Sequence, residues 1–177
     1  MSTSTEVVLR DGSRARLRAL RYDDPLAQEL VGQVQQEYVQ RYGGPDEAAV
    51  TPEDFLPPRG AFLVAEVDGV PAGCGAWRSL GDGRAEVKRV YVAPAFRRRG
   101  LAQVLVDAIE EGAARAGVRS LVLNTGHRQP EALALYAVLG YTSVPGFGIY
   151  ACEPEAVFLG KDLPELPRRV GEQPWAS

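Results

Sequence analysis

Apolar spacing divides the first sixty positions into a hairpin, a long helix and a loop. Short apolar–polar alternation around an Asp-Gly-Ser turn predicts a β-hairpin over residues 6–20. Apolar residues then recur at helical spacing. This pattern predicts a helix that begins at Pro25, after two aspartates able to cap it, and ends at Gly43. Residues 45–59 are rich in proline and acidic side chains, which is typical of a loop, here with one short helical turn.

Strand patterns dominate from residue 60 onward, with two helical patterns between them. The predicted elements are strands over residues 61–67, 71–80, 84–92, 118–124, 141–150 and 155–161, and helices over residues 99–115 and 130–140. No internal repeat or linker interrupts this order. The chain is therefore predicted to form one α/β (α+β) domain over residues 1–162, followed by a proline-rich tail over residues 163–177.

The composition resembles that of an ordinary soluble protein, with 45% hydrophobic and 24% charged residues among 177. The formal net charge of −3 argues against a general nucleic-acid or membrane-surface binder, which usually carries a basic face. No apolar stretch approaches the ~18 residues of a membrane span, and the start of the chain lacks the apolar core of a signal peptide. We therefore expect a cytoplasmic protein.

Two cysteines, Cys74 and Cys152, stand far apart, and His127 is the only histidine. This set predicts neither a zinc site nor a disulfide framework, so we expect no metal. Both thiols are interpreted as small core residues. His127 precedes a predicted helix and is interpreted either as a proton relay near a cleft or as an exposed loop residue.

One segment concentrates positive charge where a helix is predicted to begin. It consists of Arg97, Arg98, Arg99, Gly100, Leu101, Ala102 and Gln103. The first N–H groups of a helix have no intrahelical partner, and the helix dipole favours an anion there. Glycine allows close approach to the backbone, and guanidinium groups add charge-assisted bonds to phosphate. The segment predicts a phosphate site, although a solvated arginine run beside an ordinary glycine explains the same residues. Because the segment matches neither the Walker nor the Rossmann pattern, a nucleotide site is the weaker alternative.

The stretch RVYVAPAFRRRGLAQVLVDAIE resembles the acyl-CoA-binding motif of the N-acetyltransferase superfamily known as GNAT, whose signature is [Q/R]-x-x-G-x-[G/A]. A second stretch, LVLNTGHRQPEALALYAVLGYTSV, is similar to the strand, helix and LYxxLGY segment of the same enzymes. The resemblance covers roughly residues 5–162 and points to a bacterial group whose members mostly lack an assigned substrate. It implies the GNAT fold, with a mixed central sheet of about six to seven strands flanked by about four helices.

The resemblance also implies acetyl-CoA as co-substrate. The backbone N–H groups of residues 98–103 would receive its pyrophosphate, with arginine side chains around it. The strand before this segment would pair with the pantetheine arm, and a main-chain N–H there would polarise the thioester carbonyl. The strand residues implied in this pairing are Val90, Tyr91 and Val92. Gln129 stands where many members carry an asparagine, and we expect Gln129 and Asn124 among the cofactor contacts.

Tyr136 matches the family tyrosine that protonates the departing thiolate of coenzyme A. A phenol can act as this donor only when it is pre-positioned. Position 136 also lies on the apolar side of its helix, so a core tyrosine is the alternative.

The attacking amine must lose a proton, and Glu86 is the candidate base. Some family members carry a glutamate at the position of Asn124, but asparagine cannot act as a base. Simple alternation places Glu86 on the same face as Val90 and Val92, directed toward the cleft. An ion pair with Lys88 or with a cross-strand arginine is the alternative.

The acceptor pocket of this fold is usually built by the first helix, the loop after it and the final hairpin. Here those segments supply Tyr38, Arg41, Tyr42, Phe55, Phe147 and Tyr150. Aromatic rings with one arginine suit an acceptor with an apolar body and a carboxylate, although the same residues could serve as packing.

Together these features predict an enzyme that moves an acetyl group from acetyl-CoA to a primary amine of a small molecule, by direct transfer in a ternary complex. A catalytically silent acyl-CoA-binding sensor or regulatory module is the alternative. Neither nucleic acid nor membrane is expected as a partner. Because many relatives pair as dimers, a homodimer is a further expectation.

Overall fold

The computed structural model describes residues 4–166, which form an eight-stranded mixed sheet with helices on both faces. Its elements are β1 (Thr5–Val8), β2 (Arg14–Leu20), α1 (Pro25–Tyr42), β3 (Gly60–Val67), β4 (Val70–Gly81), β5 (Arg84–Val92), α2 (Leu101–Arg115), β6 (Ser120–Gly126), α3 (Pro130–Val138), β7 (Thr142–Ser143) and β8 (Ala156–Asp162). The strand order is β1-β2-β3-β4-β5-β6-β8-β7, and all neighbours are antiparallel except β5 and β6, which α2 connects. The predicted class is confirmed. The described residues contain somewhat more strands and fewer α-helices than expected.

Local signals fix the ends of α1. The Asp24 side chain accepts a hydrogen bond from the Leu26 N–H at 2.9 Å, so the second aspartate of the pair is the cap. At the other end Gly43 has a left-handed φ of 82°, and its N–H donates to the Val39 carbonyl at 2.8 Å. The predicted helix is therefore present with its predicted ends.

The helices cover the two faces of the sheet with separate apolar layers. Leu30 and Val34 of α1 pack against Phe62 on one face, and Leu105 and Ile109 of α2 are buried on the other. Each layer removes several large apolar side chains from water, the main favourable contribution to folding. No helix in the described part of the chain is long and apolar enough to cross a membrane.

The strand predicted over residues 141–150 is mostly wrong. Only Thr142–Ser143 pairs with β8, and residues 148–150 form one 3-10 turn. Pro145 has no N–H to contribute to a ladder, and Gly148 has a left-handed φ of 67°, so the chain leaves the sheet. This irregular segment forms one wall of the cleft described below.

The two cysteines have different environments. Cys74 is buried in β4, as predicted, and burial raises the pKa of its thiol to about 12. Cys152 is exposed, so its interpretation as a core residue is wrong. It lies in the irregular segment before β8, which offers no apolar face to bury it. The tail predicted over residues 163–177 lies mostly outside the described residues.

β5 and β6 pair over only three residues and then diverge. Residues 84–86 of β5 face β6, and the rest of β5 has no partner on that side. The register between β4 and β5 shifts where Arg89, an extra residue, has a left-handed φ of 59°. A bulge of this kind bends its strand and increases its twist, which opens the gap between β5 and β6.

Arg89 is held in this conformation by a carboxylate from another segment. A left-handed φ costs a residue with a β-carbon about 1–2 kcal/mol. The Arg89 side chain is buried and ion-paired with Asp46 in the loop after α1, and Asp46 also accepts from Lys88 at 3.0 Å. Burial by itself would raise the pKa of Asp46, but the charges of Lys88 and Arg89 outweigh burial and hold that pKa well below its ordinary value.

We expect Asp46→Asn to lower the free energy of unfolding by about 3 kcal/mol at neutral pH, because buried Arg89 loses its counter-charge and buried Lys88 keeps only Glu86, at 3.5 Å. A carboxylate whose pKa is lower in the folded state contributes stability above its unfolded pKa and loses it as the pH falls toward the folded pKa. Wild-type protein should therefore lose stability below about pH 4, and the variant should lose less. Urea titrations at neutral pH and at about pH 3 measure both quantities.

The control is Asp23→Asn, which removes an exposed carboxylate paired with Arg21 and should change stability little. If Asp46→Asn were as stable as wild type at neutral pH, the ion pair would not be what holds the bulge.

Candidate active site

The gap between β5 and β6 opens into a cleft of about 1240 Å³. α1 and the loop after it form one wall, and α3 with the segment before β8 forms the other. Its two ends differ in chemistry. The anion end consists of residues 97–103 at the start of α2. The aromatic end consists of Tyr38, Tyr42, Phe147 and Tyr150, all of which line the cleft.

At the anion end the chain presents backbone N–H groups without acceptors. The first helical hydrogen bond of α2 runs from the Val104 N–H to the Gly100 carbonyl at 3.2 Å. The N–H groups of residues 101–103 therefore have no intrahelical acceptor, and no side chain in the described part of the chain caps them. Arg98 and Gly100 have left-handed φ values of 65° and 85°, which turn the loop sharply into the helix. This geometry suits a bound anion.

Carboxylates already neutralise two of the three arginines at this end. Arg97 pairs with Glu37 of α1 at 3.0 Å, and Arg99 pairs with Asp11 of the first hairpin at 3.2 Å. Arg98 is exposed and has no ion pair within residues 4–166. In the fold the arginine run therefore carries much less net positive charge than the sequence suggests.

The bulge reverses the predicted orientation of side chains along β5. Val90 and Val92 pack toward α2, whereas Glu86 and Tyr91 lie on the α1 side. The expectation that Glu86 shares a face with Val90 and Val92 is wrong, because the extra residue Arg89 shifts the alternation by one. The backbone of the three residues after the bulge still runs along the cleft, on the unpaired side of β5.

Glu86 lies within a row of alternating charges on the floor of the cleft. Its carboxylate pairs with Arg78 at 2.9 Å and with Lys88 at 3.5 Å. We call this row the charge chain, and its members are Asp54, Arg78, Glu86, Lys88, Asp46 and Arg89. Both ion pairs given as the alternative for Glu86 are present. Arg78 and Lys88 each have a second carboxylate partner in the charge chain, Asp54 and Asp46 respectively.

Tyr136 of α3 is buried and lines the cleft. Its ring meets the Tyr141 ring edge to face, with 5.2 Å between centroids, so it also contributes to the core. Burial, with a smaller contribution from nearby Tyr38, raises the pKa of Tyr136 above its ordinary value. The phenol is therefore protonated at neutral pH, which a proton donor requires.

Tyr150 fastens the aromatic end to the loop after α1. Its hydroxyl donates to the Asp46 carboxylate at 3.1 Å and accepts from the Glu47 N–H at 2.7 Å. Asp46 therefore connects the bulge in β5 to Tyr150, which lies in the segment before β8. These hydrogen bonds link the loop after α1 to the segment before β8 at the aromatic end of the cleft.

Two residues expected at the acceptor pocket lie elsewhere. Phe55 is 1% exposed and packs edge to face against Phe62 in the core beneath α1. Arg41 pairs with Glu37 and Glu131 and is not part of the cleft lining. Sequence patterns gave no sign of this, because the positions of Arg41 on α1 and of Phe55 in the following loop do not fix which partners they contact. The arginine expected to meet an acceptor carboxylate is therefore engaged by the protein itself.

Asn124 and Gln129 both line the cleft beside β6. The Asn124 side-chain oxygen is buried without a hydrogen-bond partner in the described structure, as is the Tyr42 hydroxyl. Gln129 accepts from the Thr125 hydroxyl at 3.3 Å at the start of α3. His127 is exposed and is not among the lining residues. Unpaired buried polar atoms are costly, so a ligand in the cleft would find partners in Asn124 and Tyr42.

Sequence reasoning missed Asp46 and Arg10, both of which line the cleft. Asp46 stands in an acidic, proline-rich loop with nothing to distinguish it from its neighbours. Arg10 follows a short strand, 93 positions before its contact Gln103. Within residues 4–166, no group of three His, Cys, Asp or Glu side chains is placed to hold a metal ion.

The arrangement suits transfer of an acyl group from a phosphate-bearing carrier. Backbone N–H groups can hold the phosphates, and the free edge of β5 can pair with an extended arm. A buried phenol and a buried carboxylate then lie along the same cleft.

Comparison with known proteins agrees with this chemistry. The chain is 38% identical over 103 residues to the IAA acetyltransferase of Azospirillum brasilense, covering 58% of this chain and 67% of the relative. It is 35% identical over 115 residues to an uncharacterised N-acetyltransferase of Schizosaccharomyces pombe, covering 60% and 71%. Among solved structures, the GNAT domain of PAT from S. lividans is 25% identical with a TM-score of 0.71, covering 90% and 97%.

The sequence profile of the acetyltransferase (GNAT) family matches residues 27–141, well over half of the chain. The match includes the anion end, the diverging strands and Tyr136. The chain therefore belongs to the acetyltransferase (GNAT) family.

Proposed function

We propose that the protein transfers an acetyl group from acetyl-CoA to a primary amine of a small molecule, directly and in a ternary complex. The observation that carries the proposal is the cleft in which the free edge of β5 meets the uncapped N–H groups of residues 101–103. Membership of the GNAT family and N-acetyltransferase relatives support the reaction class.

The donor would lie along the open edge of β5. Its diphosphate would accept hydrogen bonds from the N–H groups of residues 98–103, where the dipole of α2 favours negative charge. The pantetheine arm would pair with the backbone of residues 90–92. A main-chain N–H of these residues would point at the thioester oxygen and stabilise the charge that develops there.

The acceptor amine would enter from the aromatic end. Its nitrogen attacks the thioester carbonyl and forms the C–N bond, and the C–S bond then breaks. Glu86 takes the proton of the amine, through a water because its carboxylate is already engaged by Arg78 and Lys88. Tyr136 gives its proton to the departing thiolate. Aromatic walls suit an amine with an apolar body.

A catalytically silent acyl-CoA-binding module is the second candidate. The observation that favours it is the charge chain, because the Glu86 carboxylate is already engaged by Arg78 and Lys88. Turnover separates the two functions.

We expect purified protein to release free thiol from acetyl-CoA at a rate that rises with a suitable member of a primary-amine panel. Tyr136→Phe should lower kcat at least about 100-fold with little change in acetyl-CoA affinity, because only proton donation is lost. Tyr141→Phe is the matched control, since its ring contacts Tyr136 outside the cleft. Tight acetyl-CoA binding without acylation of any amine would favour the sensor.

Glu86→Gln tests the base. We expect kcat/KM to fall about 100-fold and the acid limb of its pH profile to change, because the amine loses its proton acceptor. The control is Glu66→Gln, which removes a carboxylate of β3 that is paired with Arg18 of β2. It measures the effect of losing an ion pair elsewhere in the sheet. A variant with the wild-type pH profile would leave Glu86 with only its structural role.

Gly100→Ala tests the amide site. The residue has a left-handed φ of 85°, so a β-carbon strains the backbone from which residues 101–103 present their N–H groups. We expect acetyl-CoA affinity to fall roughly tenfold, as measured by calorimetric titration. Gly117→Ala imposes the same strain, at a φ of 87°, beyond the far end of α2. Equal affinities of the two variants would contradict a role for the start of α2 in donor binding.

A further inference from the structure

The turn of the first hairpin is fixed against the start of α2. The Arg10 N–H donates to the Arg99 carbonyl at 3.1 Å, and the Asp11 carboxylate pairs with the Arg99 guanidinium at 3.2 Å. Leu9 is 5% exposed and is buried in the same apolar cluster as Leu101. Backbone, ionic and apolar contacts therefore hold the turn in one place beside the anion end.

The Arg10 side chain extends over the first turn of α2. Its guanidinium donates to the Gln103 side-chain oxygen at 3.2 Å, and its Nε lies 3.1 Å from the point that a β-carbon on Gly100 would occupy. Within the described residues Arg10 has no carboxylate partner, in contrast to Arg97 and Arg99. Its full positive charge thus lies next to N–H groups that have no acceptor.

We infer that Arg10 binds the diphosphate of acyl-CoA together with the N–H groups of residues 101–103. This inference rests on the proposed function. A guanidinium and uncapped amides within one helical turn are complementary to neighbouring phosphate oxygens. Arg10 lies over the turn that presents these N–H groups. Its ligand is therefore the group that they bind, the diphosphate, and not the 3′-phosphate of coenzyme A.

Arg10 lies outside the segment that the family profile matches. The GNAT match begins at residue 27, so the first hairpin and its arginine precede it. Glu37 and Asp11 engage Arg97 and Arg99, so among residues 4–166 Arg98 is the arginine of the run without an ion pair, and Arg10 adds a second such cation at the anion end.

The test measures affinities of the full chain by calorimetric titration. The ligands are acetyl-CoA, acetyl-dephospho-CoA, which lacks the 3′-phosphate, and acetyl-pantetheine, which lacks all phosphates. We expect Arg10→Ala to weaken acetyl-CoA and acetyl-dephospho-CoA equally, on the order of tenfold, and to leave acetyl-pantetheine unchanged. The salt dependence of acetyl-CoA affinity should become shallower, because one charge contact is lost.

Matched variants separate charge from structure. Arg10→Lys should recover part of the affinity, because a lysine keeps the charge but not the planar fork. Arg16→Ala removes an exposed arginine of β2 that does not line the cleft, and it should bind like wild type.

Three results would overturn the inference. They are unchanged acetyl-CoA affinity in Arg10→Ala, a loss that persists with acetyl-pantetheine, and a loss that disappears with acetyl-dephospho-CoA. The last would assign Arg10 to the 3′-phosphate. A wild-type protein that binds no acetyl-CoA would instead refute the proposed function, and with it this inference, before any variant is compared.

Discussion

The separation of β5 from β6 depends on the buried ion pair between Arg89 and Asp46. Arg89 adopts a backbone conformation that is unfavourable for a residue with a β-carbon, and the pair offsets that cost. The pairing of β5 with β6 ends at Glu86, just before the bulge at Arg89. A cleft at the centre of the sheet, with a free strand edge, follows directly from this divergence.

The same carboxylate joins the site to its surroundings. Asp46 holds Lys88 and Arg89 on the floor of the cleft and accepts from Tyr150 on the far wall. Through Lys88 the charge chain continues to Glu86, the proposed base. A base placed in such a row is positioned accurately, but its carboxylate is already engaged by Arg78 and Lys88. The ion pairs that position Glu86 therefore limit its direct contact with the amine, and the proposed water connects the two.

At the other end, the fold relies on backbone more than on side-chain charge. Glu37 and Asp11 neutralise two arginines of the run, whereas the N–H groups of residues 101–103 remain without acceptors. Backbone donors are fixed by the helix itself and cannot be withdrawn by a neighbouring carboxylate. The ion pairs of Arg97 and Arg99 instead tie α1 and the first hairpin to the loop, which brings Arg10 to the helix.

The sequence by itself determined the order of elements, the ends of α1 and the segment at the start of α2, because caps, periodicity and turn residues act within a few positions. Family motifs in the sequence likewise indicated Tyr136 and the strand edge. Sequence patterns predicted the wrong face for Glu86, a buried environment for Cys152 and too long a strand after residue 141. A bulge or an irregular turn changes the alternation of side chains without a strong local signal. Only the tertiary structure decided which charges meet. Asp46 and Arg10 contact partners tens of residues away in the chain, and ion pairing depends on distance in space rather than on spacing in sequence.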